Sequence, residues 1–162
     1  MRNEFRIIRA DLDDSQHQSA VLRMTRSYAQ DPMGNGSDLP EDIQRRLIAG
    51  LRAHPTTVIF LALHGENAVG IVTCFVGFST FAARPLINIH DLHVATAYRQ
   101  RGLGRLLLEA VEKEARRLGC CKLTLEVQES NHHALALYTS VGFVGGQYGP
   151  AAGTVLFRER KL

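Results

Sequence analysis

The run from Asp91 to Leu108 limits the fold more tightly than any other stretch. It starts as the end of an apolar strand, passes through Arg99-Gln-Arg-Gly-Leu-Gly-Arg105, and continues as a strongly amphipathic helix. Leu103, Leu106, Leu107, Ala110, Val111 and Leu118 make one apolar stripe. Arg105, Glu109, Glu112, Lys113, Arg116 and Arg117 fall opposite it, and Gly119 ends the helix. Lys122 to Gln128 then alternates Leu123, Leu125 and Val127 with polar residues, as a strand does. Strand, helix and strand within this length predict a right-handed crossover joining parallel strands.

The remaining elements arrange themselves around that crossover. Glu4 to Ala10 reads as a first strand. Asp13-Asp14-Ser15 supplies caps for a helix to about Ala29, with Val21, Met24 and Tyr28 inward. Asp31 to Gly36 must be a loop, and its place behind the first helix suits contact with a substrate. Pro40 opens a second helix carrying Ile43, Leu47 and Leu51 at four-residue spacing to Ala53. Thr56 to His64 and Ala68 to Phe78 form a hairpin about Gly65-Glu66-Asn67, and Leu86 to Val94 is the next strand. There Ile87 and Ile89 are out of phase with Leu92 and Val94, so one extra residue near His90–Asp91, a bulge, is expected. A short helix over 131–141, stopped by Gly142, and strands over 143–148 and 154–160 complete a single α/β domain, 1–162, with a mixed sheet.

The turn carries the chemistry. Gly102 and Gly104 let a backbone approach a ligand closely. The helix start beyond them presents unpartnered amides beside a partial positive charge, which is an anion site. Arg99, Arg101 and Arg105 add planar forks suited to phosphate oxygens. With a net charge of only +3, the basic excess reads as a focused pocket for a phosphorylated ligand, and no nucleic-acid face is expected. Hydrophobic content of 45% and charged content of 22% are those of a globular chain able to bury a core. No apolar run spans a bilayer and Met1 to Ile8 has no signal-peptide pattern, so a cytoplasmic location without a membrane partner is expected. Cys74, Cys120 and Cys121 offer neither metal spacing nor a disulfide framework. The seven histidines form no helical metal-binding pair, so no metal is expected.

Arg99-x-x-Gly102-x-Gly104, preceded by Asp91-Leu-His-Val94 and followed by Asn131, Ala134, Leu137-Tyr138 and Gly142-Phe143, resembles the GNAT superfamily of acyl-CoA-dependent N-acetyltransferases. The shared signature covers roughly residues 86 to 144. The resemblance implies a mixed, mostly antiparallel sheet of about seven strands with a central splayed parallel pair, flanked by about four helices. It implies acetyl-CoA as cosubstrate, with Arg99, Gln100, Arg101, Gly102, Leu103, Gly104 and Arg105 around its diphosphate. Main-chain groups of Leu92, His93 and Val94 would pair with the pantetheine, and Asn131 would contact that arm. Tyr138 would be the general acid for the departing thiolate. It also permits a homodimer through terminal strands or the sheet edge.

Candidates for the proton-accepting group are His90, Asp91 and Glu126, with His93 behind them. Histidine is the residue type best suited to exchange a proton near neutral pH, which favours His90, while Asp91 and Glu126 more naturally attract a cationic amine. A small amine or amino acid is the first expectation for the acceptor, and a peptide N-terminus or lysine the second. Phe78-Ser-Thr-Phe81 with Ile89 to Val94 is similar to the polyamine and thialysine branch, although His90 stands where an acidic residue often precedes the aspartate. Two other readings remain at this point. One is a non-catalytic acyl-CoA sensor of the same fold. The other is a dinucleotide-binding protein with Glu126 on a ribose, which fails at Leu107, where a small residue is needed.

Overall fold

The element order follows the hydrophobic pattern closely. The computed structural model describes residues 4–145 and 157–162, in two units, Met1–Gln128 and Glu129–Leu162. The first unit contains β1 (Phe5–Arg9), α1 (Ser15–Gln30), α2 (Glu41–Ala53), β2 (Thr57–His64), β3 (Asn67–Ser79), β4 (Arg84–Val94), α3 (Leu103–Arg117) and β5 (Leu123–Leu125). A single 3-10 turn, Thr96–Tyr98, joins β4 to the glycine turn. The sheet runs β1-β2-β3-β4-β5, antiparallel up to β4 and parallel between β4 and β5. The second unit contains α4 (His132–Ser140). The strands expected over 143–148 and 154–160 fall largely outside the described residues, and 143–145 and 157–160 are not in strand.

Alternation along the strands sends neighbouring residues to opposite faces, and each face has its own helices. Ile59, Leu61, Leu63, Ala68 and Ile71 pack with Ala20, Val21 and Met24 of α1, with Ile48 and Leu51 of α2 against them. On the other face lie Leu103, Leu107, Leu108 and Val111 of α3, all buried. Leu107 sits so close to the sheet that a Cβ on Gly70 would lie 3.3 Å from its Cδ1. Each such buried leucine contributes about 1.5–3 kcal/mol. The buried face of α3 is turned somewhat from the expected stripe. Leu106 and Ala110 are only half-buried, whereas Leu108, Glu114 and Ala115 are buried. The helix lies across β1 to β4, so its covered face is wide. The buried Glu114 is satisfied there by Arg9 of β1 at 2.6 Å and Arg117 at 2.7 Å.

Candidate active site

The bulge expected from parity is present. Thr73 pairs with Asp91 and Cys74 with Ile89, which leaves His90 as the extra residue. Its effect on the main chain follows from the register. Ala95 N–H donates to Val69 O at 2.9 Å, and Gly70 stands opposite Val94. The bonded pairs after the bulge are therefore Val69/Ala95, Ile71/His93 and Thr73/Asp91. Leu92 and Val94 turn their amides and carbonyls to the opposite edge, the β5 side. Ahead of the bulge Ile87 already faces that edge, its N–H donating to Lys122 O at 3.3 Å. The expected strand 122–128 is shorter than its alternation implied, because β5 pairs only as far as Leu125 opposite Ile89. Its ladder ends where the bulge bends β4. The two parallel strands thus part, and the main chain of Leu92 and Val94 faces the opening. The His93 main chain faces β3 instead.

Just beyond, Gln100 and Gly102 both have positive φ, 61° and 80°. Left-handed residues therefore stand on either side of Arg101, and turns that alternate in this way are able to aim successive amides at an anion. Gly102 is the cap of α3 and no side chain caps the first turn. A residue with a Cβ could not hold that φ without strain. The three arginines differ in their attachments. Arg99 forms an ion pair with the buried Asp31 and donates from Nε to Val94 O at 3.0 Å. Arg101 lies over the Tyr98 ring, 5.3 Å from its centroid, and donates to Ala97 O at 3.3 Å. The side chain of Arg105 is exposed, on the helix's first turn.

The α1 side of β4 carries the titratable groups. Asp91 is half-buried, and burial holds its carboxyl above the usual range, opposed by the charge of His90. His90 is exposed, with its ring 5.5 Å from that of Phe75, which in turn lies 5.0 Å from His54. The Tyr28 phenol is raised by burial and then by Asp91 and Asp31. His93 is buried and lowered by burial first and Arg99 second, with Asp31 opposing. Its Nε2 is 2.9 Å from Ser27 Oγ and its ring 5.5 Å from that of Tyr28. Glu126 is exposed, one residue past β5. In the second unit Asn131 caps α4, its Oδ1 accepting from Ala134 N–H at 3.2 Å. Tyr138 is buried with its ring 5.7 Å from that of Phe143. The loop at Asp31 was expected near a substrate, but its ion pair with Arg99, and the places of Ser27, Tyr28 and Tyr98, were not legible, since each partner is met only through the fold. Among the described residues no three His, Cys, Asp or Glu side chains could hold a metal. Among the described residues no helix is long and apolar enough to cross a membrane.

A meander sheet whose parallel pair stops pairing at a bulge, with a glycine turn just beyond it, is a fold found among solved acetyltransferases. An aminoglycoside acetyltransferase from a soil metagenome, solved with sisomicin, shares the fold at TM-score 0.81 and 20% identity, over 99% of this chain and 98% of that one. The chain belongs to the acetyltransferase (GNAT) family, which it matches over residues 21–143. It is 38% identical over 85 residues to the N-alpha-acetyltransferase MAK3 of Arabidopsis thaliana, covering 52% of this chain and 44% of that protein. It is 29% identical over 106 residues to the thialysine N-epsilon-acetyltransferase of Caenorhabditis elegans, covering 65% and 60%. The matches therefore span less than two thirds of either relative.

Proposed function

We propose that this protein transfers the acetyl group of acetyl-CoA directly to a primary amine. The observation that carries the reading is the edge of β4 past the bulge, where the Leu92 main chain and the Val94 amide lie beside the turn at 99–105. Those groups pair with the pantetheine as an added strand would. The amides of the turn, with Arg101 and Arg105, hold the diphosphate, and Asn131 contacts the arm. The Leu92 or Val94 amide donates to the thioester oxygen as negative charge develops there. Asp91 attracts the cationic amine, with Glu126 further out, and His90 accepts its proton. Tyr138 protonates the departing thiolate, its phenol hydroxyl supplying the proton. No cysteine nucleophile is needed. The Cys74 thiol is pushed up to about 12 by burial and Asp91, which leaves it protonated at neutral pH.

A small amine or amino acid is the favoured acceptor and a peptide amine the second. The names of the two relatives point to an alpha-amine in one case and an epsilon-amine in the other. The test is incubation with acetyl-CoA and a panel of amines, with products read by mass spectrometry. Tyr138→Phe should lower kcat by about 10²–10⁴-fold while calorimetry shows coenzyme A still binding. Binding without turnover on any amine would instead make the protein a sensor.

A further inference from the structure

The Asp31–Arg99 pair joins two segments that the sequence keeps far apart. Asp31 is the hub of the loop after α1. Its N–H donates to Tyr28 O at 3.0 Å, and its carbonyl accepts from Gly34 at 2.8 Å and Gly36 at 3.1 Å. Its Oδ1 accepts from the Met33 amide at 2.9 Å. The loop is wound so tightly that a Cβ on Gly34 would lie 2.1 Å from Tyr28 O. The Asp31 side chain is only 8% exposed, and Arg99 reaches it. The same guanidinium holds Val94 O at 3.0 Å, so one side chain joins the loop, the end of the splayed strand and the glycine turn. A guanidinium engaged at both ends in this way is poorly placed to be a phosphate ligand.

We propose that Asp31 and Arg99 are a positioning pair that couples the order of the 31–36 loop to occupancy of the turn, so that bound coenzyme tightens the acceptor side. The inference rests on the reading of the turn as a coenzyme A site. A ligand that fixes the main chain of Val94 and of residues 99–105 also fixes the root of the Arg99 side chain. The far end of that side chain then confines the Asp31 carboxylate, on which the Met33 amide depends. Linkage makes the effect reciprocal: an ordered loop strengthens coenzyme binding by the same factor.

The amides of Met33, Gly34 and Gly36 report the coupling directly, because all three donate to Asp31. Their hydrogen exchange is measured by NMR on the full chain with and without saturating coenzyme A, after calorimetry has established binding. In the native protein coenzyme A should slow these amides by about 5–150-fold, the usual range of coupling between sites. In Asp31→Asn the ratio should fall below about twofold, even where both forms exchange faster. Arg99→Gln, which removes the pair from the other side, should give the same loss. A purely structural pair would raise exchange equally in both states and leave the ratio intact, which would overturn the proposal. Faster exchange on binding in the native protein would also overturn it, since Arg99 would then be leaving Asp31 for phosphate. Failure to bind coenzyme A at all would sink the reading of the turn together with the coupling. Binding without a loop response sinks the coupling alone.

Discussion

Asp91 shows how a single side chain trades stability against binding. Burial raises its carboxyl pKa, with His90 pulling the other way, so the folded state holds the proton to a higher pH than the unfolded chain does. Stability from this group is present below the unfolded value near 3.9 and is lost as pH rises through the folded value. Asp91→Asn should therefore match the native protein at acidic pH and exceed its Tm at pH 7. The gain is about 2–4 °C for each kcal/mol recovered in a chain of this size. The same variant should raise KM for a cationic amine, as melting curves across pH and steady-state kinetics would show. Asp31 has the opposite sign. Burial works against its charge, but the Met33 amide and Arg99 outweigh that and lower the pKa. Its contribution is present above the unfolded value and lost as pH falls through the folded one. Neither environment could be read from the chain, because Asp31 and Arg99 are 68 positions apart and nothing local marks them as partners.

At the scale of elements, the bulge makes residue count matter more than residue identity. By absorbing His90, the bulge keeps Ile87, Ile89, Leu92 and Val94 on one face, as parity in the sequence required. It also keeps the main chain of all four on the β5 edge. Deleting His90 should abolish coenzyme A binding, because Cys74/Ile89 and Thr73/Asp91 would then follow one another without a bulge and β4 would no longer bend away from β5. His90→Gln should leave affinity within about threefold, since the backbone keeps its extra residue. Calorimetry on the two variants makes the comparison. This much of the site was legible because periodicity is a local property, as was the paired-glycine turn that opens α3. The length of β5 was not legible. Val127 continues the alternation, yet pairing ends where β4 bends away, and a bend in a neighbour leaves no trace in a strand's own sequence. The rotation of α3 escaped for the same reason, since its buried width is set by four strands.

Across the first unit, Glu114 links the first strand to the crossover helix through Arg9 and Arg117. The two arginines are half-exposed or more, so the ion pairs are screened by solvent. Glu114→Ala should cost about 1 kcal/mol in a urea titration. It should leave coenzyme A affinity unchanged, since eleven residues of helix, about 16 Å, separate it from the start of α3. The order of the sheet has a consequence for assembly. Each of β2 to β4 joins its predecessor antiparallel through a connection of its own, whereas β5, parallel to β4, can reach its place only after the whole of α3 has swung across. That last closure also creates the parting of the strands. A nucleotide-bearing thioester would therefore find its cradle only on chains that have finished folding, and would hold them there by mass action.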